Sequence, residues 1–103
     1  MLIYILNAEN TNLYKIGITR RSVKKRISDL QTGSPNIIFE VYKYESEYAM
    51  KIEKMLHRFY KYCKEYGEWF NFENISIEEV KEKMHFFEEI VKNLENGKEE
   101  SPY

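Results

Sequence analysis

The first seven residues, "MLIYILN", are almost entirely apolar, and a second run, "LYKIGIT", follows at 13–19 after polar turn formers. Two such runs around a five-residue connector predict a β-hairpin. Ser22 is then placed to cap a helix in which Val23, Ile27 and Leu30 repeat at i, i+4 and i+7, with Gly33 and Pro35 as stop signals. The segment 36–45, "NIIFEVYKYE", alternates and is rich in β-branched and aromatic residues, which predicts a third strand. Ser46 is expected to cap a longer helix reaching about Tyr66, with Ala49, Ile52, Leu56, Phe59 and Cys63 on its apolar face. Gly67 should end it, and "EWFNF" at 68–72 is a candidate edge strand. "SIEE" at 76–79 is a capping-box signature for a last helix to about Leu94. Ile77, Val80, Met84, Phe87, Ile90, Val91 and Leu94 give that helix its apolar face, and Gly97 should stop it.

The pattern is α+β: a small antiparallel or mixed three-stranded sheet flanked by helices, in the order ββαβα, short strand, helix. One domain is expected over residues 1–96, with a core at 1–72, an added helix at about 76–96 and a frayed tail at 97–103. Aromatic residues make up 16% of the chain, so rings should fill much of the core. The single cysteine excludes an internal disulfide, and no Cys/His spacing suits zinc. No stretch is apolar for long enough to span a membrane, and the start lacks a signal-peptide pattern. A cytoplasmic protein is expected, in the host cytoplasm if it is phage encoded.

Charge changes this picture. The net charge is only -1, but residues 1–72 hold 12 Lys and Arg against 8 Asp and Glu, while residues 73–103 hold 4 against 9. A basic part of +4 is thus masked by an acidic end of -5. Five of the basic residues, Arg20, Arg21, Lys24, Lys25 and Arg26, fall within seven positions, with no acid before Asp29. A second basic stripe, Lys51, Lys54, Arg58 and Lys61, runs along the long helix. Ordinary surfaces mix signs, so these runs favour a polyanion partner over a merely solvated face. A nucleic acid held by its backbone phosphates is the natural candidate.

Tyr4 on the first strand, Gly17 thirteen positions later, Arg26 on the next helix and Glu53 on the long one complete a pattern. "IYIL", "YKIG", the helix arginine and the later glutamate resemble the GIY-YIG nuclease superfamily. "KRISDLQTGSPN", "IEKMLHRFY" and "GEWFNF" are similar to its compact phage-associated DNA-binding subset. The resemblance covers roughly residues 1–72. It implies metal-dependent hydrolysis of DNA phosphodiesters, with Tyr4 orienting or activating water, Arg26 holding the phosphate, and Glu53 binding Mg²⁺ or Mn²⁺. Gly17 would let the backbone pass close to the site.

Two positions depart from that pattern. Leu2 stands where the first motif has glycine. The second-motif tyrosine would fall at Lys15, whereas Tyr14 lies one position earlier. Neighbouring strand residues face opposite ways, so only one of the two can enter the cleft; Lys15 is the expected one. An ammonium there could bind phosphate or lower the pKa of Tyr4. His57, one helical turn from Glu53, is a further candidate, and Glu68 and Asn71 are within conceivable reach. Trp69 and Phe70 are expected to plug the core rather than stack on a base. Arg20, Arg21, Lys24, Lys25, Lys51, Lys54 and Arg58 would track the DNA backbone. With no extra module to read sequence, specificity would come from substrate shape, a protein partner or a homodimer. A DNA-binding module without catalysis and a protein-interaction domain are the competing readings.

Overall fold

A computed structural model describes the backbone of residues 1–100 and the side chains of residues 1–96. The chain runs β1 (Leu2–Ala8), β2 (Leu13–Thr19), α1 (Val23–Gln31), β3 (Ile38–Glu45), α2 (Ala49–Phe59), a 3₁₀ turn (Lys61–Cys63), β4 (Lys64–Tyr66), β5 (Trp69–Asn71) and α3 (Ile77–Glu100). The expected α+β class holds, but the sheet has five strands, in the order β3-β1-β2-β5-β4, every pair antiparallel.

Each face of the sheet carries its own core. Ile3, Ile5 and Ile16 turn toward α2 and α3 and pack with Ile52, Leu56, Phe70, Val80 and Met84, all fully buried. Tyr4 and Leu6 turn the other way and are covered by Val23, Ile27 and Leu30 of α1, the three positions whose spacing predicted that helix. The Ser22 side chain accepts the Lys25 N–H at 3.1 Å, as an N-cap should.

Of the two additional strands, β5 falls in the expected edge strand at 68–72, while β4 comes from a stretch expected to be helix. The α2 helix stops at Phe59, and the chain passes through one 3₁₀ turn into a hairpin whose two-residue turn is Gly67 and Glu68. Gly67 has φ +52°, the left-handed conformation that suits the first central residue of such a turn. Tyr60 is pulled into the main core, where its ring meets Phe72 at 5.1 Å and its hydroxyl donates to Glu79 at 3.1 Å. Those tertiary contacts, with the poor helix propensity of the tyrosine-rich segment 60–66, outweigh the apolar periodicity that seemed to run on to Cys63.

Two caps also differ. Tyr48, not Ser46, occupies the N-cap position of α2. Ser46 is buried and instead ties the turn to α3: its hydroxyl accepts the Tyr48 N–H at 3.1 Å and donates to Glu88 at 2.5 Å. Ser76 does cap α3 by accepting the Glu79 N–H at 3.2 Å, but the Glu79 carboxylate serves Tyr60 rather than closing the box. The α3 backbone continues through Gly97 to Glu100. The expected tail at 97–103 falls where side chains, and for 101–103 the backbone, lie outside the described residues. Among the described residues no helix is long and apolar enough to cross a membrane.

Candidate functional site

On the α1 face, Tyr4 and Gly17 are direct cross-strand partners. A Cβ on Gly17 would lie 2.4 Å from the Tyr4 Oη and 2.5 Å from its Cζ. Glycine is therefore required so that the tyrosine ring can lie flat across β2, a more specific demand than letting the backbone approach the site. The ring is fully buried, and its hydroxyl accepts the Arg26 Nε–H at 3.5 Å from α1. A phenol so placed keeps its own proton free to donate. Burial pushes the Tyr4 pKa above its usual value, Glu68 and Glu53 add to that rise, and Arg26 only partly offsets it. The expected lowering by nearby cations is thus reversed in the protein alone, because loss of water around the phenolate outweighs the guanidinium. The bond to Tyr4 in turn holds Arg26 even more firmly in its charged form.

Lys15 and Tyr14 separate as strand alternation requires. Tyr14 faces the main core and stacks on Phe72 with centroids 5.8 Å apart. Lys15 points into the α1 face, is 6% exposed, and pairs with the Glu68 carboxylate at 2.8 Å. Its ammonium also lies 5.9 Å from the Trp69 ring centroid. Trp69 and Phe70 divide between the two cores, Trp69 partly buried beside Leu30 and Phe70 fully buried with Ile16.

Glu53 and His57 come from α2, which passes the edge of β2 just where β5 stops pairing with it. There the Ile16 N–H donates to the Glu68 carbonyl at 3.3 Å, and the Ile16 carbonyl accepts from His57 Nε2 at 2.9 Å. A carbonyl only accepts, so Nε2 carries the proton and Nδ1 of the neutral ring keeps a lone pair. The imidazole is braced edge-on against Phe70 at 4.8 Å. Ligand atoms of Glu53, His57 and Glu68 all lie within 4.8 Å of one another. Burial raises the Glu53 pKa, Glu68 raises it further, and Lys15, Lys54 and Lys64 pull it back. Two carboxylates and an imidazole at this separation, with one ring nitrogen already oriented by a backbone carbonyl, suit a divalent cation as a donor set.

Glu68 is therefore a central residue that sequence reasoning touched only in passing. Its signal was Gly67 before it, which marks a turn, but its place opposite Lys15 depends on the hairpin. Asn71 stays apart: its amide contacts Glu65 at 3.3 Å and its carbonyl accepts the Glu73 N–H at 2.9 Å.

The proposed DNA-tracking residues are all exposed, but not all are equally available. Arg20, Arg21, Lys24, Lys54 and Arg58 project to solvent, while Lys25 pairs with Asp29 at 3.0 Å on α1. Lys51 pairs with Glu95 of α3. The acidic helix α3 thus runs beside the first lysine of the basic stripe. Arg20 and Lys51 line a concavity of about 520 Å³ together with Glu47 and Glu95, separate from the Tyr4 and Glu53 cluster.

The chain matches the model of the T5orf172 domain over residues 1–88, a span that takes in all five strands, α1, α2 and the first half of α3. Neither a curated protein nor a solved structure matches it. With most of its length and every residue of the cluster inside the matched span, the chain belongs to the T5orf172 domain family, a phage-associated family linked to nuclease-like folds.

Proposed function

We propose that this protein is a GIY-YIG-type endonuclease that hydrolyses DNA phosphodiester bonds with the help of Mg²⁺ or Mn²⁺. The observation that carries the reading is the approach of Tyr4, Lys15, Arg26 and Glu53 from β1, β2, α1 and α2, with Arg26 bonded to Tyr4 and with both Glu53 and Glu68 felt at the Tyr4 hydroxyl. Arg26 is partly exposed, so its guanidinium can grip a phosphate through the edge that Tyr4 does not occupy. Tyr4, neutral at physiological pH, orients the attacking water by hydrogen bonding. Lys15 supplies buried positive charge beneath the phosphate and keeps Glu68 in place. Glu53, with Glu68 and His57 beside it, would hold the cation, which when bound would supply charge to polarise the phosphate and assist the leaving oxygen. Imidazole in the donor set favours Mn²⁺ over Mg²⁺. The exposed cations of α1 and α2 would bind backbone phosphates without reading sequence.

The competing reading, a DNA-binding domain without useful catalysis, draws support from the raised pKa of Tyr4 and from Lys15 in the second-motif position. Nicking of supercoiled plasmid separates the two. The nuclease reading expects nicking that needs Mg²⁺ or Mn²⁺ and is lost in Glu53→Ala. Binding by both proteins with no nicking under either metal would leave only the second reading.

A further inference from the structure

Trp69 is the only tryptophan in the chain, and it is not wholly taken up by the core. It pairs with Lys15 on one side and with Tyr66 on the other. Directly paired strand residues share a face, so Lys15, Trp69 and Tyr66 form a row on the α1 side of the sheet. Beyond the tryptophan a concavity of about 190 Å³ opens between the β4–β5 hairpin and the end of α1. Leu30, Gly33, Ser34, Pro35, Ile38, Tyr66 and Trp69 line it, and no charged residue does. Tyr66 is 61% exposed, and the space where a Gly33 Cβ would project is open.

An aromatic recess of this kind borders directly on the cationic site. Leu30 follows Arg26 by four residues, so the two lie on one stripe of α1, about 6 Å apart along the axis. On the sheet, the Lys15 ammonium lies 5.9 Å from the centroid of the Trp69 ring that lines the recess. A ligand that puts an anion at Arg26 and a flat, uncharged ring one short step away matches both halves. A nucleotide has that build. In a duplex the faces of the base are already stacked, so only an unpaired or extruded nucleotide can present one.

We infer that this recess receives an unpaired nucleobase of the strand whose phosphate Arg26 holds, stacked on Trp69 and Tyr66; the inference rests on the phosphate-binding reading of Arg26. The substrate is then DNA with single-stranded or unpaired character at the site, and the recess supplies affinity with little base preference, since every base has a stacking face.

Because Trp69 is the sole tryptophan, its emission reports on the recess directly. The test titrates the whole protein, in EDTA and at low salt, with a short single-stranded oligonucleotide and with the blunt duplex of the same sequence. Saturable quenching by the single strand alone is expected. Tyr66→Ala should weaken single-strand binding about tenfold while leaving duplex binding unchanged, and Tyr66→Phe should restore it. Tyr66 is an exposed edge-strand residue, so its truncation spares the core; an unchanged melting curve verifies this. Equal emission changes with both DNAs, or Tyr66→Ala binding as tightly as wild type, overturns the inference while the phosphate-binding reading stands. A different result, no binding of either DNA and no effect of Arg26→Ala, overturns that reading and this inference with it.

Discussion

At Gly17 the constraint is a single carbon. Its hypothetical Cβ would lie 2.4 Å from the Tyr4 Oη and 2.5 Å from its Cζ, so Gly17→Ala must shift either β2 or the tyrosine. The expected cost is about 1–3 kcal/mol in denaturant unfolding, typical of overpacking, together with loss of the Tyr4–Arg26 bond and of any activity that depends on it. The reverse case is Tyr44, whose ring stacks on His85 and whose buried hydroxyl has no hydrogen-bond partner among the described residues. Tyr44→Phe keeps the packing and removes the unsatisfied group, so stability should rise by about 1 kcal/mol, read as a higher denaturation midpoint. Single residues also mark how far sequence reading reaches. That Tyr14 and Lys15 face opposite ways followed from strand alternation, while the choice of Lys15 for the site came from the spacing of the motif it resembles; the structure has the two on opposite faces. That Tyr4 would have a raised rather than a lowered pKa did not follow, because its burial under Val23 and Ile38 is a property of the packed α1 face.

Among the elements, the first hairpin, α1, β3 and the apolar face of α3 were legible because local periodicity and turn chemistry agreed with the fold. The hairpin of β4 and β5 was legible only in β5, which the apolar run at 68–72 marked as an edge strand. Strand β4 was not: it is three residues long, too short to show a period, and the preceding helix pattern ran straight through it. What decides the matter is non-local: Phe70 fills the space under Ile16, and Trp69 pairs with Lys15. The same hairpin delivers Glu68 to the cluster, so its turn should matter twice. Gly67→Ala puts a side chain at φ +52°, with an expected cost of about 1 kcal/mol or more. It should also disturb the Lys15–Glu68 pair, visible as weaker Mn²⁺ binding in a calorimetric titration. On α2, Lys51 and Lys54 were indistinguishable in sequence, yet among the described residues Lys51 forms an ion pair, with Glu95, and Lys54 forms none. Lys54→Ala is therefore expected to weaken DNA binding more than Lys51→Ala does, in the same buffer.

For the whole molecule, an acidic end and a basic body meet along α2 and α3 instead of standing apart, which is why the net charge of -1 says so little about the partner. DNA affinity carried by Arg20, Arg21, Lys24, Lys54 and Arg58 should fall steeply with salt through counterion release. The buried phenols set the response to alkali. Burial raises the pKa values of Tyr4, Tyr44 and Tyr60, and Glu79 adds to the rise at Tyr60. The folded state thus prefers the neutral phenols. Their contribution to stability is full below the unfolded tyrosine pKa of about 10 and is lost as pH rises through the higher folded values. In a titration followed by tyrosinate absorbance, only part of the nine tyrosines should ionise near pH 10, the rest following with unfolding.

The central claim is that Arg26 acts on a phosphate in a reaction rather than merely attracting DNA. Metal-dependent nicking and DNA affinity, measured together for wild type and Arg26→Ala, test it most directly. Removing a cation that stabilises transition-state charge should cut the nicking rate about 100-fold or more while affinity falls only a few-fold, since the other surface cations remain. Equal losses in rate and affinity, or no metal-dependent nicking in the wild type, would contradict the account.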